Sequence, residues 1–542
     1  MTSAAGGESM AVSGEVSVGS EVFVKPVAGA PGTAGELLSA GYRYRSVKAE
    51  LRENAIRRLS KLGDGNLGAL FPGVVGYEDT VVPQMVHAIL SGHDTLLLGL
   101  RGQAKTRMLR AMVALLDEWI PVIAPECLAR FGGTGLPDDP ISPTTSAGRR
   151  AVSELANEVP IAWLHRSNRY HEKLATPDVT IADLIGEIDL IRHAEGRYLS
   201  DEATMHFGLV PRSNRGLFVM NELPDLAPRI QVGLFNVLEE RDVQIRGYPV
   251  RLELDLALMF SANPEDYTNR GRIVTPLKDR IGSVVRTHYP SDLEEAMRIT
   301  RENAYLERKN TEPRAAVRRS GGRPDLDAAA LRFEKPVEAP EVVVPRVMHE
   351  ILETCIGMAR SSSHINQASG VSVRASIAAL ETMVSAAEMR ALRSGESRTL
   401  VRPSDTTHIH AAFRGKVELM LAEDSSDGVA TEDRLIDAIF GEALKQVIGR
   451  KIDVEDLEEI AAGFAGGLRL EFSDTNSASE TLASLGCVDG LREASDRLAR
   501  SVGLDPADDH AAVCAGELVL EYLYVNNRLS KMSTRGGAAY KR

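Results

Sequence analysis

The sequence is short of cysteine, of positive charge and of long apolar runs. Its four cysteines, Cys127, Cys355, Cys487 and Cys514, lie far apart with no CxxC pair. That excludes a readable disulfide framework or zinc ribbon and fits thiols that are mostly buried, in a reducing cytosol. No stretch approaches the ~18 uninterrupted apolar residues of a membrane span, and no basic segment followed by an apolar one opens the chain. A cytoplasmic protein with no membrane partner is expected. Lys+Arg is 63 against 76 Asp+Glu, a formal net charge of −13, which argues against a surface-wide nucleic-acid footprint. No repeat of fixed period is present.

What is there suffices for a folded protein of several domains. The chain has 542 residues, 43% hydrophobic and 26% charged, which at roughly 150 residues per domain suggests three to four domains. In residues 1–40, 20 are Gly, Ala or Ser, and a flexible tail is expected. Helical spacing begins at Ser46–Leu62. Apolar strands then alternate with helical patterns to about Tyr289, the signature of an α/β domain with a parallel sheet. Three of these strands, Thr95–Leu98, Gly216–Met220 and Leu256–Ser261, end in polar residues, as buried parallel strands do when their C-terminal ends carry chemistry. A Pro-, Arg- and Ala-rich stretch at about 307–345 reads as a linker or insertion, and its basic run Arg314–Arg323 as a solvated linker rather than a nucleic-acid contact. Helical patterns follow from Pro345 to about Glu423 and from Thr431 to about Asn527. In the latter, Leu435, Ile436, Ile439, Phe440, Leu444, Val447 and Ile448 share one broad face that must pack.

The main chemical signal is Gly99-Leu-Arg101-Gly102-Gln103-Ala104-Lys105-Thr106, between the TLLL strand and a helical pattern. Small residues let backbone N–H groups wrap phosphates, a Lys reaches the outer phosphates, a hydroxyl serves Mg²⁺, and a helix begins at the anion. The loop departs from GxxxxGKT in having Ala104 at the second glycine. A phosphate site also calls for an acidic strand end, to hold the metal and orient the attacking water. The Gly216 strand ends in Asn221-Glu222. Glu222 can polarise water, whereas Asn221 stands where an Asp is usual and costs the metal a negative charge. Restoring Asp there is expected to raise turnover if Asn221 is the bottleneck. The third strand ends in Ser261-Ala262-Asn263-Pro264, placing an amide to sense the terminal phosphate.

With these elements in this order, the chain resembles the AAA+ ATPases, in particular the MoxR and magnesium-chelatase motor-subunit branch. The resemblance covers roughly residues 67–289 and, less strongly, 345–419. Thr180–Asp189, Glu195–Tyr198 and Phe207–Gly208 resemble that branch's helix-2 insert, and Glu239–Leu252 its hairpin before the third strand. In that hairpin the turn Arg246-Gly247-Tyr248-Pro249 has two readings, packing on a neighbouring subunit or coupling to a client. Arg280, in Leu277-Lys278-Asp279-Arg280, stands where the family carries its arginine finger, the alternative being a surface ion pair with Asp279 or a similar carboxylate. Arg374, in Val371-Ser-Val-Arg374, is similar to the lid's second sensor arginine. No DxSxS metal-adhesion motif and no GAFTGA loop occur, and residues 427–542 match nothing in the chelatase motor.

The resemblance implies an α/β AAA+ P-loop domain, its parallel sheet flanked by helices, followed by an all-α lid and a helix-rich C-terminal region. The expected boundaries are 1–40 tail, 41–290 ATPase core, 291–425 lid and 426–542 C-terminal domain. It implies ATP and Mg²⁺ as cofactors. The catalytic candidates are Glu222, Asn263, Arg280 and Arg374; Gly99, Arg101, Gly102, Gln103, Ala104, Lys105 and Thr106 bind nucleotide; Thr106 and Asn221 serve the metal. The expected function is an ATP-hydrolysing motor that remodels a client protein as a ring homo-oligomer, a hexamer, alongside a separate von Willebrand-A partner. The alternatives are the motor subunit of a magnesium chelatase and a nucleotide-gated assembly module with little turnover.

Overall fold

Strands that are apolar on both faces need cover on both sides, and the structure, a computed structural model, supplies it. It describes residues 15–18, 21–24, 29–62, 66–133, 135–188, 205–244, 251–264, 272–306, 339–367, 369–420, 431–452, 454–464, 467–473, 475–534 and 537–542. The chain forms two units, Met1–Tyr289 and Pro290–Arg542. In the first, β1 (Thr95–Leu98), β2 (Tyr170–Leu174), β3 (Gly216–Asn221), β4 (Leu256–Ala262) and β5 (Ser283–Arg286) form one parallel sheet in the order β5-β1-β4-β3-β2. Along β3, Leu217 and Val219 enter one apolar cluster with Val47, Val81 and Met108, while Phe218 and Met220 enter another with Ile230 and Ile281. Each residue step flips the side chain to the other face, so a run buried on both faces carries no alternation. The expected α/β class holds.

Register places the chemistry at one edge. Ala262 lies opposite Leu98 and Phe260 opposite Met220, so β1, β4 and β3 end nearly level. From that edge β1 leads into helix α1 (Lys105–Ala111). The helix α2 (Thr275–Arg280) precedes β5.

Three features differ from the sequence reading or extend it. Order begins before residue 40: Ala34–Ser39 is a helix capped by the Thr33 side chain, and Ala34 N donates to Val159 O at 2.9 Å. A partner more than a hundred residues away holds it, which local composition does not reveal. The hairpin strands Asp242–Gln244 and Arg251–Glu253 pair antiparallel, while their turn, with Arg246 and Tyr248, lies outside the described residues. In the insert, Thr180 and Asp183 form a reciprocal cap and Gly186–Ile188 pairs with Met205–Phe207; residues 189–204 lie outside the described residues.

Among the described residues of the second unit, one buried cluster spans the helices on both sides of residue 425. Val347, Ile351 and Leu352 of α3 (Arg346–Ser361), Ala379 and Leu380 of α4 (Val373–Ser394), and Ile436, Leu444 and Ile448 of α5 (Thr431–Ile448) belong to the same buried cluster, which continues to Tyr540. The apolar face read between 435 and 448 therefore packs across the expected boundary near 425. The region also contains an antiparallel sheet of Leu470–Ser473, Ser530–Thr534 and Gly537–Lys541, which its helix-rich pattern did not disclose.

Within this unit His349 on α3 is buried, and its Nε2 has no hydrogen-bond partner among the described residues. Burial first, then the charge of Arg301, holds its pKa down to about 4. An unfolded histidine titrates near 6.5. Above that pH neither state is charged; as pH falls from 6.5 to 4 only the unfolded state gains the proton, so folding weakens across that window. His349→Leu should flatten the acid branch of the second unit's thermal stability, by something on the order of 3 kcal/mol between those limits. Equal slopes in wild type and variant, by calorimetry, would contradict a neutral buried His349.

Candidate functional site

The chain leaves β1 at Gly99 and enters α1 at Lys105 through two left-handed residues, Gly102 (φ +75°) and Ala104 (φ +51°). Gly99 has no room for a side chain: a Cβ there would lie 1.9 Å from Thr287 Oγ1 and 2.3 Å from Gln103 Oε1. The loop is held from β5's far end. Thr287 Oγ1 donates to Gln103 Oε1 at 2.8 Å, and the Tyr289 hydroxyl to Arg101 O at 2.9 Å. The buried Tyr77 hydroxyl lies 2.8 Å from both Gln103 O and His288 O. Gln103's side chain thus supports the loop, while Arg101 and Ala104 are exposed.

Lys105 is buried, and its ammonium donates to Gly99 O, to Leu100 O (2.9 Å) and to Asn263 Oδ1 (2.7 Å). Asn263 Nδ2 donates to Glu222 Oε2 at 2.6 Å. The amide's orientation follows from chemistry, since an ammonium only donates and a carboxylate only accepts. Because β4 lies between β1 and β3, the amide that ends it sits between the lysine after β1 and the glutamate after β3. Glu222 stands at φ +53°, a left-handed turn at the strand's end. Its N–H reaches Ser261 Oγ at 3.3 Å, and the same hydroxyl donates to Asn221 Oδ1 at 2.9 Å.

The other amide group of Asn221, Nδ2, donates to Glu172 Oε1 at 2.7 Å. Glu172, on β2, also accepts from Arg110 of α1 and from the Tyr170 hydroxyl. Burial alone would push its carboxyl upward, but the hydrogen bonds from Arg110 and Tyr170 and the Arg110 charge outweigh it and hold the group below the ordinary glutamate range. Thr106, second in α1, is half-buried.

The site therefore brings together Lys105, Asn263, Glu222 and Asn221. Arg280, at the end of α2, is elsewhere engaged: Nε donates to Glu239 Oε2 at 2.7 Å, Nη1 to Pro276 O at 3.0 Å, and the guanidinium lies 4.9 Å from the Phe235 ring centre. The ion-pair partner is Glu239 rather than Asp279. Arg374 is exposed at the start of α4 in the second unit, where Ser372 caps the helix by accepting from its N–H. Sequence reasoning missed Glu172, Ser261 and the Tyr77–Thr287 support.

A divalent cation fits the donor set. The Thr106 hydroxyl, Asn221 Oδ1 and the Glu222 carboxylate are hard oxygen donors. Among the described residues no cluster of three His, Cys, Asp or Glu side chains is placed to hold a metal ion. No described helix is long and apolar enough to cross a membrane.

No protein-family model and no curated protein matches the chain. Among solved structures it is similar to a chain of the BchI–BchD complex of magnesium chelatase, at 24% identity and TM-score 0.31 over 43% of this chain; it spans 65% of that chain's length. It is also similar to a Cytophaga hutchinsonii protein assigned as an ATPase, at 17% identity and TM-score 0.28 over 74% of this chain and 97% of the other. NtrX from Brucella abortus matches at 14% identity and TM-score 0.34 over 77% and 70%. At such scores function has to be read from the site's own geometry.

The left-handed Ala104 yields a local test. For an L-residue that conformation costs roughly 1–2 kcal/mol. Ala104→Gly should leave stability unchanged or raise it by up to about 1 kcal/mol after the unfolded chain's added freedom is counted. Ala104→Val, β-branched at positive φ, should destabilise. Denaturant melts ranking Val above Ala would contradict the loop conformation.

Proposed function

We propose that the first unit binds ATP with Mg²⁺ and hydrolyses it, as an AAA+ ATPase of the MoxR and magnesium-chelatase motor type. One observation supports this above the rest: the chain Lys105–Asn263–Glu222, closed by hydrogen bonds of 2.7 and 2.6 Å across the ends of three parallel strands. A phosphate oxygen that replaces one of the neutral oxygens bonded to the buried Lys105 ammonium makes a charge-assisted hydrogen bond in its place. Asn263 couples that event to the carboxylate best placed to orient a water. In this reading Lys105 and the loop from Gly99 to Ala104 hold the phosphates, Glu222 orients and deprotonates the water, and Asn263 senses the terminal phosphate. Thr106 and Asn221 face the metal, which when bound neutralises phosphate charge. Arg280, turned from Glu239, serves the neighbouring subunit's nucleotide in a ring, and Arg374 serves as the lid's sensor.

The ring is a homo-oligomer, a hexamer, acting in the cytoplasm on a client protein alongside a separate von Willebrand-A partner. The second reading, a nucleotide-gated module with little turnover, is favoured by Asn221, whose buried carboxamide carries no charge for the metal.

Lys105→Ala should lose most ATP affinity and all hydrolysis and still fold, at a lower melting temperature because it leaves buried acceptors unpaired, while Glu222→Gln should keep binding and lose turnover. Unchanged affinity in the lysine variant, by calorimetry, would defeat the phosphate assignment. Arg280→Ala should bind ATP and hydrolyse poorly, and mixing it with Glu222→Gln protein should restore part of the activity. No recovery in confirmed mixed oligomers would place Arg280's action within its own subunit.

A further inference from the structure

The amide of Asn221 is anchored at both ends. Oδ1 accepts from Ser261 Oγ at 2.9 Å and Nδ2 donates to Glu172 Oε1 at 2.7 Å. Neither β2 nor β3 leaves this arrangement to chance. Val219 lies directly opposite Glu172, and Asn221, two residues on, shares its face of the sheet. That face is also the one on which α1 packs, because Met108 and Leu109 of α1 cluster with Leu217 and Val219. Glu172 therefore lies on the side of the sheet from which Thr106 and Lys105 begin their helix.

Resting on the nucleotide reading above, we propose that Glu172 supplies the negative charge on the metal side of this site, acting through Asn221, and that residue 221 has to be neutral because Glu172 is there. Glu172 is a positioning residue in this scheme. It sets which way the Asn221 amide faces and places a carboxylate one hydrogen bond behind it. The groups facing Glu172 are Arg110 from α1, Tyr170 from its own strand and Asn221 from β3. Arg110 offsets its charge only in part, because the arginine side chain is 64% exposed and water screens it.

The scheme reverses the expectation that Asp at 221 improves the site. An Asp oxygen in place of Nδ2 would stand about 2.7 Å from Glu172 Oε1. An acceptor in place of the donor loses the hydrogen bond and sets two acceptor oxygens against each other, which drives the side chain away from Glu172 or from Ser261. Exchanging the two groups, by contrast, keeps the hydrogen bond and the net charge, since a Gln amide at 172 can donate to an Asp carboxylate at 221.

The test compares the full-length wild type, Glu172→Gln, Asn221→Asp and the double exchange. The first readout is calorimetric binding of a slowly hydrolysed ATP analogue over a Mg²⁺ titration; the second is melting temperature at neutral pH. Glu172→Gln should need about tenfold more Mg²⁺ for half-maximal tightening, the scale seen when a group behind a metal ligand is removed. Asn221→Asp should lose stability relative to wild type, because the hydrogen bond from Nδ2 to Glu172 is replaced by a contact between two acceptor oxygens. The double exchange should return both readouts toward wild type. Should Asn221→Asp fail to fold, the Mg²⁺ titrations of Glu172→Gln and of the double exchange still decide. An unmoved Mg²⁺ requirement in Glu172→Gln, or a double variant that merely sums the two defects, overturns the proposal and leaves nucleotide binding intact. A wild type that binds no analogue at any Mg²⁺ concentration overturns the nucleotide reading, and this proposal with it.

Discussion

A single carboxamide, held between a donor that cannot accept and an acceptor that cannot donate, sets the geometry of the first unit's edge. Asn263 accepts from Lys105 and donates to Glu222, so its orientation is not free, and neither are the positions of the strands that bear its partners. Removing the amide would leave a buried ammonium short of an acceptor, a loss of roughly 1–3 kcal/mol or more for a charged group. The level ends of β1, β4 and β3, set by their backbone pairing, bring the three side chains within reach of one another. A shift of one residue in β4 would turn Asn263 to the opposite face and break both contacts.

The loop and the strand end each hold a non-glycine residue in the left-handed region, Ala104 at φ +51° and Glu222 at φ +53°. Such residues persist where surrounding structure over-determines them. For Ala104 that structure is the support from Tyr77, Thr287 and Tyr289; for Glu222 it is Asn263 and the Ser261 hydroxyl. Strain and support meet at one edge, where a charged ligand would have to be received without rebuilding the backbone.

Much of this edge was legible in the sequence because its signals are local. Three leucines before Gly99, the run Gly216–Met220 before Asn221-Glu222 and an Asn-Pro after a third run disclose strands and what stands at their ends. Glu172 was not legible. Its strand, Tyr-His-Glu-Lys-Leu, lies at the sheet's edge and has no apolar run, and its tie to Asn221 spans 49 positions. The clamp on the loop, from Tyr77 and Thr287, is invisible for the same reason of distance. In the second unit, the short strands Leu470–Ser473, Ser530–Thr534 and Gly537–Lys541 carry too few alternating positions to stand out between helices. The shared core of α3, α4 and α5 joins elements on both sides of the polar stretch 422–428, so polarity in the sequence there did not mark the end of a core.

The account turns on Lys105 exchanging backbone oxygens for phosphate, and a structure of the full-length protein with Mg²⁺ and a non-hydrolysable ATP analogue tests that exchange most directly. It should show the Lys105 ammonium released from Leu100 O and bound to the outer phosphates, with the loop from Gly99 to Ala104 around them and Glu222 facing the terminal phosphate. An analogue bound elsewhere, with Lys105 still held by Gly99 and Leu100, would contradict the account.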